Sequence, residues 1–220
     1  MKYTKEEMLM HKPCLSGLAY AEYMCFDFKK IYDKCNQASY LIWLLHKSGN
    51  MTPRQAAVIS LSFAKEVLPI YEKHKPSDMS PRKVIEQIEQ LLFSSPVLVE
   101  SREVHTADVC AAAYAITNDI ADNAYLSYSV HTLAALKATL TVANAAITAI
   151  NAITCKNTVY ANKVVYAAVY TSSVYAIETI EAEYDTFDIC DASIANNAAR
   201  KKATIRLSNL IRETVPNPFN

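Results

Sequence analysis

Between residues 97 and 215 the chain contains neither glycine nor proline. No other feature narrows the choice of fold as much. Tight turns between strands need residues that tolerate positive φ, and glycine supplies most of them. Helices can instead be joined through Asn, Asp, Ser and Thr. Only Gly17 and Gly49 occur, both early, and Pro13, Pro53, Pro69, Pro76, Pro81 and Pro96 all precede the stretch. The sequence therefore reads as all-α: a multi-helix bundle with short helices in the N-terminal half packed on long Ala/Tyr-rich helices. With 220 residues and 51% hydrophobic side chains there is ample material for a core. One domain over 1–220 is expected, with a sub-boundary at 94–103, where the composition turns to Ala, Thr, Asn, Tyr and Val.

Local signals place the helices. Thr4 followed three residues later by Glu7 predicts a capping box opening the first helix. Gly49 reads as the close of "NQASYLIWLLHKSG". Thr52 and Pro53 predict a helix start, and Pro69 is expected to kink or split that helix. Ser80 and Pro81 repeat the start signal, with Asp78 as the other candidate cap. Behind them Val84, Ile88, Leu91 and Leu92 fall on one face. Long helices are expected near 104–126, 128–155, 157–185 and 189–213. Leu133, Leu136, Leu140, Ala143, Ile147, Ile150 and Thr154 alternate in steps of three and four, which predicts a packing seam. Tyr166 and Tyr170, four apart, share a face, either as core or as an aromatic wall for a planar ligand or a partner protein.

Formal net charge is zero. That removes the usual electrostatic ground for binding nucleic acid or an anionic membrane. The most apolar window, 138–155, is rich in Thr and Asn and reads as a buried helix rather than a membrane span. Cys14, Cys25, Cys35, Cys110, Cys155 and Cys190 form no CxxC pair, and no secretory signal is visible. Reduced thiols, mostly buried, in the cytoplasm are expected. His11 and Cys14 form a lone HxxC pair without a second pair at zinc spacing, so no metal site is expected. Phosphate-binding glycine loops, HExxH and GxSxG are all missing. The chain reads as a binding protein without catalytic or cofactor residues.

Two surfaces could bind. Glu178, Glu181, Asp185 and Asp188 are spaced three, four and three apart, one helical stripe with no Lys or Arg between 164 and 199. The stripe suits a solvated face, internal pairing with "RKKATIR" (200–206), or a basic partner. The first half leans slightly basic and offers a different set: His11, Lys12, Trp43, Arg54, Arg82 and Arg102, with Tyr20 for stacking. Arg82 in the first turn of a helix opposes the dipole preference. It should therefore be held by an internal carboxylate or a ligand.

Segments "HKPCLSGLAYAEY", "YLIWLLHKSG", "AAVISLSFAKEVLPIYEKHKPSDMSPRKVIEQIEQLL" and "IRLSNLIRETVPNPF" together resemble an immunity-protein family of bacterial polymorphic toxin systems, also found in phages. The resemblance spans nearly the whole chain. It is carried by Cys14 after a basic turn, Trp43, the set Pro76, Asp78, Pro81, Arg82, Ile85 and Glu86, and the closing Ile211, Arg212 and Pro216. The resemblance implies an Ala-rich helical, non-enzymatic neutraliser of a protein toxin or effector, for which the acidic stripe is the candidate contact. One alternative is a sponge for a small nucleotide-like immune signal, held by the His11-to-Arg102 set. Another is a structural homo-oligomer assembled through Ala-rich helices.

Overall fold

A computed structural model describes residues 4–93, 130–154, 159–183 and 189–219. Within these residues the chain forms nine helices and no strand, an all-α bundle. Four short helices come first: α1 (Lys5–Met10), α2 (Leu15–Tyr23), α3 (Phe28–Lys34) and α4 (Ala38–Lys47). Two of intermediate length follow, α5 (Pro53–His74) and α6 (Ser80–Phe93). Three long ones close the chain: α7 (Val130–Thr154), α8 (Val159–Glu183) and α9 (Ile189–Thr214). The helix expected over 104–126 and the boundary at 94–103 lie outside the described residues.

The caps follow the local chemistry. Thr4 and Glu7 form a reciprocal box, and Thr52 forms another with Gln55 while Pro53 fills the first helical position. Gly49, at φ +71°, stands one residue beyond the Ser48 cap of α4. There its N–H reaches the His46 carbonyl at 3.2 Å, and the Asn50 N–H reaches Leu45 at 2.9 Å. This paired closure requires a left-handed residue, which glycine adopts at no steric cost. At α6 the cap is Asp78, whose Oδ1 accepts from the Ser80 N–H at 2.9 Å. α5 runs through Pro69 without a break. Pro69 is exposed and so is Lys65, whose carbonyl it leaves without the usual helical donor, so water can serve that oxygen.

α5 is the spine. Ala56, Ile59, Phe63, Val67 and Tyr71 face one core, shared with α3, α4, α8 and the C-terminal half of α9. Ala57, Leu61, Ala64 and Leu68 face a second core, shared with α6 and α7. Both cores are therefore anchored on a single helix. Ion pairs brace its rim: Glu72 with Arg82, Lys65 with Glu89, and Glu66 with Arg206.

The seam expected on α7 is part of the face that packs: Ala143 is buried in the second core and Ile150 packs against it, while the side chains of Leu133, Leu136 and Thr154 lie outside the described residues. Ala138, Val142, Ala145, Ala146 and Ala149 are buried, with Thr141 and Thr148 beside them. Leu140 is only half-buried and Ile147 is 38% exposed, on the same side as Asn144 and Asn151. The physical reason is size. Alanine lets α7 approach α5 closely, whereas a row of Leu and Ile would hold it off. Backbone carbonyls inside the helix take up the hydroxyls: Thr148 donates to Asn144 at 2.7 Å and Thr141 to Lys137 at 2.9 Å.

The C-terminus is pinned back onto α3. Tyr32 donates its hydroxyl to the Val215 carbonyl at 2.5 Å. Arg212 donates to the Tyr32 carbonyl at 2.9 Å and also to the Cys35 carbonyl, capping the end of α3. No helix among the described residues is long and apolar enough to cross a membrane.

Substitution at Ala146 and Ile147 separates the closed side of α7 from its exposed edge. Ala146→Leu overfills a closed contact and is expected to cost about 1–3 kcal/mol. Ile147→Ala is expected to cost about 1 kcal/mol or less, because that side chain remains partly in water. Urea denaturation of both variants measures the difference; a larger loss for Ile147→Ala would place Ile147 in the packed interface.

Candidate ligand-binding cavity

Short helices leave gaps between them, and among the described residues one lies where α1 to α4 meet α8. It is a cavity of about 250 Å³. Tyr40 and Trp43, three apart on α4, form one side, and Tyr166 and Tyr170 of α8 form another. Tyr20 of α2, Ile31 of α3 and Leu44 of α4 also line the cavity. Lys12, Pro13 and Cys14 bring the α1–α2 connection to the same space. Lys12 is the sole charged side chain among the described lining residues.

The aromatic wall continues behind the cavity. The His46 ring stacks on Tyr166 with centroids 4.1 Å apart and planes at 12°, and Tyr166 meets Tyr170 at 6.1 Å. Burial lowers the His46 pKa, with Lys47 adding to the effect. Burial also raises the Tyr166 phenol. The wall is thus built from neutral rings.

Cys14 caps α2. Its Sγ accepts from the Gly17 N–H at 3.3 Å and lies 3.5 Å from the Ser16 hydroxyl. Ser16 in turn accepts from the Tyr40 hydroxyl at 2.5 Å. The Ser16 contact is the main influence that lowers the thiol pKa; burial opposes it, and Gly17 and Tyr40 reinforce it. A side chain at Gly17 would bring its Cβ to 3.1 Å from the sulfur, so glycine leaves the thiol uncrowded. Lys12, just upstream, is held at φ +51°, a conformation that costs a non-glycine residue energy. Cys14 and Cys25 are exposed and only Cys35 is buried, so most of the described cysteines are not core residues. Cys14 is at the surface because it caps a helix end, and Cys25 because it sits in a left-handed turn at φ +54°.

The candidates named from sequence divide cleanly. Lys12, Tyr20 and Trp43 meet in the cavity. His11 is the C-cap of α1, beside the lining but not in it. Arg54 donates to the Leu92 carbonyl at 2.8 Å, capping α6. Arg82 grips Glu72 through two contacts of 2.7 Å, the internal carboxylate anticipated for it, and holds the Glu72 pKa below its ordinary value. Arg54 and Arg82 therefore join helices and do not gather with the other candidates. Arg102 lies outside the described residues. On the acidic stripe, Glu178 pairs with Lys137 of α7 and Glu181 with Arg200 of α9, each at 3.2 Å. A basic partner would have to compete with both. Asp185 and Asp188 lie outside the described residues. No group of three His, Cys, Asp or Glu side chains among the described residues could hold a metal ion. Tyr40 lines the cavity, Ser16 bonds to Tyr40 and His46 stacks on Tyr166 from outside; none of the three is among the candidates read from sequence. The three-residue spacing of Tyr40, Trp43 and His46 on α4 was the available signal.

Two pH effects follow from these surroundings. A lowered pKa keeps Cys14 as thiolate to lower pH, so its alkylation by iodoacetamide should reach half its limiting rate below the ordinary thiol value of 9.0. Cys35, raised by burial, should do so above 9.0. Ser16→Ala should move the Cys14 midpoint upward; peptide-resolved mass spectrometry reads all three. His46, with its pKa below the ordinary 6.5, contributes stability that is complete above that value. The contribution is lost as pH falls through the lower folded value. Thermal unfolding of His46→Phe should therefore depend less on pH below 6.5 than the unaltered chain does. Comparison with models of known protein families, with curated proteins and with solved structures finds no match for this chain.

Proposed function

We propose that this chain is a non-enzymatic binding protein that sequesters a small planar ligand in the cavity between α2, α4 and α8. The observation that carries the reading is the convergence of Tyr20, Tyr40, Trp43, Tyr166 and Tyr170 on one space of about 250 Å³. Flat aromatic walls favour flat ligands, because stacking is worth about 1–3 kcal/mol per ring and tolerates many ring types. The volume lies below the range of about 300–1,000 Å³ typical of drug-sized sites. A ligand of one or two fused rings suits it.

Charge narrows the class further. One lysine at the mouth matches one negative charge or a carbonyl oxygen, and Arg54 and Arg82 are committed elsewhere. A nucleobase or nucleoside is therefore favoured over a polyphosphate. In the conflict setting that the family resemblance implies, such a protein would act by withdrawing a small signal. Neutralising a protein effector is the second reading. It draws support from the exposed apolar side chains beside the cavity in sequence, Met10 at 73% and Leu15 at 89% exposure, rather than from the half-paired acidic stripe.

Trp43 is the only tryptophan, so its fluorescence reports on this cavity alone. Titration with adenosine, guanosine and uridine is expected to change Trp43 emission, with no tighter binding for the triphosphates. Tyr166→Ala should weaken the binding about 5- to 150-fold, which is the stacking contribution expressed as affinity. If no nucleoside or other planar probe alters Trp43 emission at millimolar concentration, the reading falls.

A further inference from the structure

The cavity carries a reactive group as well as aromatic walls. Cys14 lines it, and three features make the sulfur unusual for a mere helix cap. Oxygen side chains cap helices better than sulfur, so Ser, Thr, Asp or Asn would be the structural choice. The sulfur accepts from the Gly17 N–H, while Tyr40 donates to Ser16 and so leaves the Ser16 hydrogen free to point at it. Gly17 keeps a Cβ away from it. A cap that is second-best for the helix, surrounded by donors and kept open, fits a nucleophile better than it fits a structural thiol.

We infer that the cavity takes a planar α,β-unsaturated carbonyl compound and holds it by reversible addition to Cys14, with Lys12 placed for the carbonyl end. This rests on the reading of the cavity as a site for a planar ligand and names the chemistry of that ligand. The lowered pKa of the thiol supports it. Addition proceeds in balanced steps. The thiol loses its proton to water. The thiolate sulfur then bonds to the β-carbon as the carbon–carbon π bond breaks. The electron pair passes to the carbonyl oxygen as an enolate, which the Lys12 ammonium stabilises. Water returns a proton to the α-carbon. The product is a one-to-one thioether, with no oxidant or reductant consumed, and loss of the α-proton reverses it. Of the described cysteines, Cys25 is exposed but does not line this cavity, and Cys35 is buried.

Benzylideneacetone, a planar aromatic enone, is the probe, and its allylic alcohol, which cannot add a thiol, is the control. Intact-mass spectrometry of the full chain is expected to show one adduct. The adduct should be lost in Cys14→Ser and kept in Cys25→Ser, with Cys14 modified at least tenfold faster than Cys25 in peptide maps. Cys14→Ser places a better cap on α2 and is expected to fold. The alcohol should change Trp43 emission equally in the unaltered chain and in Cys14→Ser. Equal modification of Cys14 and Cys25, with the alcohol still bound, would overturn this inference and leave the planar-ligand reading standing. Absence of alcohol binding would also overturn this inference, since any adduct would then be simple surface reactivity, while the planar-ligand reading falls only if the nucleosides too leave Trp43 emission unchanged.

Discussion

Two-sided burial of α5 is the constraint on which the rest of the structure depends. A helix with one apolar stripe can close one core. α5 carries two, Ile59–Phe63–Val67 and Leu61–Ala64–Leu68, and so joins the short helices and C-terminus on one side to α6 and α7 on the other. That position limits what may pack against it. α7 can lie close only because its facing side is mostly alanine, and Ser60 of α5 reaches Thr148 of α7 at 3.4 Å across the contact. Polar groups at such an interface must be served locally, which the hydroxyl-to-carbonyl bonds within α7 do.

The same constraint explains what the sequence reveals and what it hides. Caps are local, so Thr4, Thr52 and Gly49 were legible from a few neighbouring residues. On α7 the step of three and four captures only part of the packed face: Ala143 and Ile150 meet the second core, whereas Ile147 does not. The most deeply buried positions there are mostly small residues, and Leu140 and Ile147 sit toward the polar side with Asn144. Arg54 and Arg82 were left open between two roles for a related reason. A guanidinium near a helix start resembles a ligand-binding group in sequence, but whether a carbonyl or carboxylate from another helix meets it depends on tertiary packing. Glu181 illustrates the converse. Its pairing with Arg200 was one of several readings open from spacing alone, and helix docking selects it.

The cavity needs long-range packing to exist at all. Lys12, Tyr20 and Trp43 were identifiable by type, yet their meeting with Tyr166 and Tyr170 requires α8 to lie across α4. That placement is held in turn by the core on α5 and by the Arg212 and Tyr32 contacts that bind the C-terminus to α3. The motif residues behind the family resemblance divide along this line. Arg82, Asp78 and Arg212 hold the scaffold, whereas Cys14 and Trp43 reach the cavity.

This division bears on how a small site can be kept precise in a bundle made largely of alanine. Alanine-rich interfaces are close but offer few interlocking shapes, so helices could slide along them at little cost. Directional contacts at the periphery remove that freedom: a bidentate Arg82–Glu72 pair, an Arg212 fork across two carbonyls, and a Tyr71 hydroxyl on Asp78. Surface ion pairs add little to stability. Their value here is positional, because each fixes one helix end against α5 or α3. With those ends fixed, the scaffold on which α4 and α8 pack, the α5 core, has fewer ways to shift.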